Sequence, residues 1–326
     1  MNHVERFRAV MNFQPVDRLP RVEWATWWGQ TIDRWRGEGL PGTLRTPQEI
    51  CAHFGLDPYW QHWFSPRAET FPQVEHGQGV VASHEDYDRI KPHLFPPIHG
   101  LLEKLAQWGQ AQARGEAVVW ITLEGFFWFP RTLLGIENHF YAFYDHPDLM
   151  HRMLDDLLVY HLDILRQLAG ICRPTFMTFG EDMSYNHGPM LSKPLFTEFL
   201  APYYRQIIPV LRDLGIMPIV DSDGDVAELF GWLDEVGVVG ILPLERQAGC
   251  CAAALRQKYP NIRMIGHFDK MTMPLGEPAM RAEFERLLPV MKSGGFIPSV
   301  DHQTPPGVSM DQYRTYLRLL TEYTER

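Results

Sequence analysis

The chain has no cluster of basic residues, no apolar stretch long enough to span a bilayer, and only four cysteines in 326 residues. Each shortage removes a class of function. A phosphate-binding surface needs grouped Lys and Arg, and with a formal charge of −10 a nucleic-acid partner is not expected. Crossing a membrane takes about 20 consecutive apolar residues, so no membrane role is expected either. Cys51, Cys172, Cys250 and Cys251 form no CxxC pair and no disulfide framework. They read as free thiols in a reducing cytoplasm. Of these, Cys250 and Cys251 fall near a helix start, where a thiolate is favoured. The opening MNHVERFRAVMNF is a charged amphipathic helix without a signal-peptide core, which points to a cytoplasmic protein. The glycines of GEGLPG and SGG lack the strand–GxGxxG–helix context of a dinucleotide site.

What the chain does have is a soluble, globular balance, with 45% hydrophobic and 21% charged residues. It also has six short apolar runs that each end in an acid or a histidine. They are VVWIT before Glu124, TFMTFG before Glu181 and Asp182, MPIV before Asp221, GILPL before Glu245, RMIG before His267, and FIPSV before Asp301 and His302. Most are followed by a helical segment, as in a long helix capped by Asp145 with Pro147 in its first turn, and in another over 193–214. Strands feeding helices predict an α/β fold, a (β/α)8 TIM barrel, in which residues just after the strands gather at one mouth. No repeat or linker divides the chain. A single domain over 1–326 is expected, with 1–98 an aromatic-rich N-terminal extension packed on a barrel core over 99–326.

The strand ends supply the candidate chemistry. In IVDSDGDVAELF, the acids Asp221, Asp223 and Asp225 crowd around a glycine. Such carboxylates repel unless a cation, a proton or helix amides relieve them. The order DSDGD, with no glutamate at the twelfth position, excludes an EF-hand. His267 with Asp221, Asp223 and Glu245 could hold zinc with an open position. Glu181, Asp182, Tyr185 and His187 crowd the loop after another strand, where a tyrosine beside carboxylates could transfer protons. Six of the ten tryptophans, Trp24, Trp27, Trp28, Trp35, Trp60 and Trp63, lie in the first 63 residues. They either fill a core or wall a pocket for a flat or quaternary-ammonium ligand. Trp27 and Trp128 are the wall residues expected to meet substrate, beside Asp182 and His187. The aromatic N-terminus also suggests a homodimer.

Four ordered stretches resemble the uroporphyrinogen decarboxylase superfamily: ERFRAVMNFQPVDRLP, GEDMSYNHGPMLSKPLFTEFLAPYYRQII, DSDGD…GILPLERQAG, and MIGHFDK…LLPVMKSGGFIPSVDHQTPPGVSMDQYRTYL. The resemblance spans nearly the whole chain and implies a distorted (β/α)8 barrel. Uroporphyrinogen decarboxylases of this group carry an arginine-rich N-terminal motif for the substrate carboxylates. Here that region reads VEWATWWGQ, so porphyrinogen decarboxylation is not expected. The chain looks more similar to the corrinoid-dependent methyltransferases. Thiol-methylating members bind zinc through HxC, where this chain has Asp221 and Asp223. The resemblance therefore implies a demethylase component that moves a methyl group from a methoxylated aromatic or a methylated amine to a corrinoid-binding protein. Zinc would assist through Asp221, Asp223, Glu245 and His267, and Glu181, Tyr185, Asp223 and His302 would be catalytic. The alternative is a decarboxylase acting on a smaller acid.

Overall fold

The computed structural model describes residues 1–325. Among them are the strands β1 (Tyr59–Phe64), β2 (Val118–Glu124), β3 (Phe176–Gly180), β4 (Ser184–Tyr185), β5 (Gly188–Pro189), β6 (Met217–Asp221), β7 (Gly240–Leu242), β8 (Arg263–Phe268) and β9 (Phe296–Val300). Seven of them form one parallel sheet in the order β1-β2-β3-β6-β7-β8-β9, and β4 and β5 make a separate antiparallel ribbon. Every residue of β2, β3, β7 and β9 is buried. Strands covered on both faces read as continuous apolar runs, which is why these were visible in the sequence.

The fold is thus α/β with a curled parallel sheet of TIM-like arrangement, and the expected eight-strand ladder appears as seven strands among the described residues. The N-terminal run LPRVEWA touches both edges of the gap. The Asp57 amide, just before β1, donates to the Arg21 carbonyl at 2.8 Å, and the Trp24 indole donates to the Val300 carbonyl of β9 at 2.7 Å. Buried Glu23 accepts from the Ser299 and Tyr313 hydroxyls, both at 2.9 Å. The segment expected to be an extension also supplies β1, whose register runs from Tyr59 opposite Val118 to Phe64 opposite Leu123.

The first helix, His3–Met11, closes the end of the sheet away from the strand C-termini. Its capping box is formed by Asn2 and Glu5, and Phe7 stacks on Phe176 at 4.9 Å, which in turn stacks on Trp120. Burying a phenylalanine this completely is worth about 2–3 kcal/mol. The long helix spans Pro147–Leu168, but its N-cap is His146, not Asp145. Asp145 is already the last residue of the preceding helix, Ile136–Asp145. The helix expected over 193–214 contains a π turn at Phe196–Leu200. Pro202 follows it and has no N–H to return to the carbonyl four residues back.

Candidate active site

A cavity of about 350 Å³ opens at the C-terminal ends of the strands. Its polar lining includes Asp182, Asp221, Asp223, His302, Gln61 and Gln303, and its apolar lining is dominated by Trp24, Trp63 and Trp128. Three of the six acid- or histidine-terminated runs therefore meet there, those of β3, β6 and β9.

Local structure fixes each group. Asp182 follows β3 with φ +42°, a left-handed conformation that aspartate tolerates better than most residues. Its carboxylate accepts the Asp223 amide at 3.3 Å, and its carbonyl accepts from Arg131 at 3.3 Å. Gly224 (φ +88°) lies so close to the ribbon that an added Cβ would sit 2.5 Å from the Ser184 carbonyl carbon. Glycine there lets the DSDGD turn pack under β4. Asp223 reaches His302, with carboxylate oxygen and imidazole Nε2 3.5 Å apart. This contact raises the His302 pKa above the ordinary histidine value, against the opposing effect of burial. Burial raises the Asp182 carboxyl to about 6, with the Asp223 charge adding to it. Asp221 is also pushed well above the ordinary aspartate value, by burial first and then by Asp182 and Asp223. The cavity therefore holds three crowded carboxyl groups with His302 as their one basic partner, an arrangement that a cation or a proton relieves.

The aromatic walls come from three places. Trp24 is held by its bond to β9 and lies edge-on to His302, with ring centroids 6.3 Å apart. Trp63 sits at the end of β1, and a Cβ on Gly180 would approach its ring to 3.0 Å. Trp128 begins the helix after β2. Beneath it the buried Glu181 carboxylate accepts the Phe126, Phe127 and Trp128 amides at 2.8, 2.7 and 3.3 Å, together with the Tyr204 hydroxyl. Burial nevertheless raises Glu181 to about 7. Gln61 donates to the Thr122 hydroxyl, which pairs with Thr178, both at 2.8 Å. This chain stiffens the wall.

Several expected residues lie elsewhere. His267 is fully buried, and both ring nitrogens are engaged: Nδ1 with the Leu244 carbonyl at 2.8 Å, and Nε2 with the Ala252 amide at 3.1 Å and Arg286 at 3.0 Å. Burial lowers its pKa to about 3. A ring with no free lone pair is no metal ligand. Glu245 pairs with Lys270 at 3.4 Å and does not line the cavity. The expected zinc set is therefore not brought together, and among the described residues no group of three or more His, Cys, Asp or Glu side chains is arranged to hold a metal ion. Glu181 supports the loop under Trp128 and does not face the cavity. Tyr185 and His187 project from the exposed ribbon, ring against ring at 5.7 Å, outside the lining. Trp27 is buried among Trp35, Phe54 and Tyr313. Cys251 is the N-cap of a short helix and exposed, whereas Cys250 is buried and its thiol is raised to about 11, the opposite of activation.

Trp24 and Trp63 are two of the six N-terminal tryptophans that the sequence offers as core or pocket wall, and the structure puts them in the wall; Gln61 and Gln303 are not among the residues it offers. The period-two spacing of Gln61 and Trp63 in YWQHWF was the available signal, hidden because β1 lies among proline and glycine breakers.

The profile of the family described as Uroporphyrinogen decarboxylase (URO-D) matches residues 84–323. No curated protein matches the chain. Among solved structures, a methyltransferase from Methanosarcina mazei has a TM-score of 0.68 at 14% identity, over 99% of both chains, and so shares the fold. A protein from Listeria monocytogenes assigned as a vitamin-B12-independent methionine synthase is 11% identical over 93% of this chain and 95% of that one, with a TM-score of 0.46. No helix among the described residues is long and apolar enough to cross a membrane.

Proposed function

This chain belongs to the uroporphyrinogen decarboxylase family, and within that family we propose that it is a methyltransferase, taking a methyl group from a small donor in the strand-end cavity and passing it to a corrinoid held by a separate protein. The observation that carries this reading is the charge of the cavity. A decarboxylase must hold substrate carboxylates, which takes arginine or lysine. Three aspartates line this cavity, and among the described residues no arginine or lysine does. That arrangement repels an acid substrate, small or large, and disfavours the decarboxylase alternative. The fold shared with a methyltransferase from Methanosarcina mazei is in keeping with it.

The reduced corrinoid, when its carrier docks, supplies the nucleophile that accepts the methyl group. The mouth suits such an approach, since Trp63 lines the cavity yet is 46% exposed, an apolar edge open to a partner. In this reading the run at Arg21–Ala25 completes the barrel wall beside β9. Trp24, Trp63 and Trp128 exclude water from the reacting carbon. They also leave the donor few orientations, so that its methyl group points outward. Asp182 and Asp221 face the reacting centre, where a carboxyl group can pass a proton to a leaving atom that takes on negative charge, or a carboxylate can hold a donor that is already cationic. His302, polarised by Asp223, is a second proton source at the rim. The donors present do not fit zinc, and no step requires it.

The test is methyl transfer to free cob(I)alamin across a panel of methoxylated and N-methylated donors, followed by the corrinoid spectrum. Transfer with wild type that falls about tenfold or more in Asp221→Asn supports the assignment. No transfer from any donor overturns it.

A further inference from the structure

The cavity combines two features that favour the same kind of ligand. Its walls are indole side chains from three separate elements: Trp24 in the N-terminal run, Trp63 on β1 and Trp128 after β2. Its polar side holds Asp182, Asp221 and Asp223. The Asp221 side chain takes part in no hydrogen bond or ion pair among the described residues, although it faces the space. His302 is the one basic side chain in the lining, and it is already matched to Asp223 at 3.5 Å. Arg131 lies over the Trp128 ring at 5.1 Å, outside the lining.

We propose that the donor is an N-methylated ammonium ion, its charged methylated nitrogen seated against Trp24, Trp63 and Trp128 and faced by Asp182, Asp221 and Asp223. This rests on the methyltransferase reading and names its substrate class. Indole rings attract cations whose charge is spread over methyl groups, and a quaternary ion, which has no N–H to donate to a carboxylate, depends on them most. An anionic aromatic acid is repelled by the aspartates. A neutral methyl ether leaves the carboxylate charge unmatched and displaces the water that would otherwise solvate it.

The group transfer balances without a proton. The bond between carbon and nitrogen breaks, its electron pair stays on nitrogen, and the positive charge disappears. The acceptor's electron pair forms the new bond to carbon. The neutral amine no longer attracts the aspartates, so the charge that gathers the donor also favours release of the product. That attraction concentrates donor and does not by itself lower the barrier.

The experiment is calorimetric titration of the intact protein, without corrinoid, by choline, by its uncharged isostere with carbon in place of nitrogen, and by methoxybenzoate. Choline should bind at least about tenfold more tightly than the isostere, and methoxybenzoate should show no binding. Trp63→Ala should weaken choline about tenfold while Trp63→Phe keeps most of the affinity. Equal affinity for choline and its isostere, preference for methoxybenzoate, or no choline binding would overturn the inference. Transfer to cob(I)alamin from a methyl ether with no choline binding removes this substrate class and leaves the methyltransferase reading intact. Choline binding with no transfer from any donor keeps the cation site and removes the transferase.

Discussion

His302 and Asp223 face each other 3.5 Å apart across the mouth, joining the residues that follow β9 and β6. The two lie 79 positions apart in sequence (302 − 223), and only the curl of the sheet brings them together. Because Asp223 raises the His302 pKa, Asp223→Asn should lower the titration midpoint of the His302 ring. Proton NMR of the imidazole against pH reads this directly, and an unchanged midpoint would mean that the pair is not formed in solution.

Glu181 is expected to be a positioning residue. Glu181→Ala leaves three amides and the Tyr204 hydroxyl without their acceptor. It should cost about 3 kcal/mol or more in denaturant unfolding. Glu181→Gln, which keeps one acceptor oxygen, should retain more of the stability than Glu181→Ala.

His267→Ala should behave as a core lesion. It abandons the Ala252 amide and part of the Arg286 guanidinium, so a loss of about 2–3 kcal/mol is expected with donor affinity in the cavity unchanged. Loss of donor affinity without loss of stability would restore a direct role for the ring.

Gly180→Ala should act on the cavity more than on the fold. The new methyl group meets the Trp63 ring at 3.0–3.1 Å, and that ring is partly exposed and free to tilt. A rise in KM of about tenfold with a change in unfolding free energy under about 1 kcal/mol is the expected pattern.

Stability should be highest at mildly acidic pH. Glu23, Glu124 and Glu181 are each raised to about 7 by burial. A raised folded pKa gives stability that is complete below the unfolded value and lost as pH rises through 7. His139, His161 and His267 are lowered to about 3, again by burial. Their contribution is complete above the unfolded value, near 6.5, and is lost as pH falls towards 3. Thermal melts should be highest between about pH 4.5 and 6.5, and Glu23→Gln should lessen the loss of stability towards neutral pH if it folds. A melting point that climbs steadily through the alkaline range would contradict the assignment.

The six apolar runs settle where the buried strands are, because a strand covered on both faces must be apolar along its length. VVWIT, TFMTFG and FIPSV correspond to β2, β3 and β9 within a residue or two. β1 escaped because its residues are half-buried, polar and aromatic by turns, and lie between breakers. Sequence also placed Asp182, Asp221, Asp223, His302 and Trp128 near one mouth, since strand C-termini must converge when parallel strands curl.

What sequence alone could not decide is which strand-end side chains turn into the cavity and which turn back into the protein. His267 and Asp221 stand near the C-terminal ends of β8 and β6, two buried strands of one parallel sheet with β7 between them. Yet one donates to Leu244 and accepts from Ala252 and Arg286 inside the core, while the other meets open space. That choice depends on partners distant in the chain, on the left-handed φ of +68° at His267, and on whether nearby backbone groups need an acceptor. A buried polar ring goes where its hydrogen bonds are met, and only the packed tertiary structure fixes where that is.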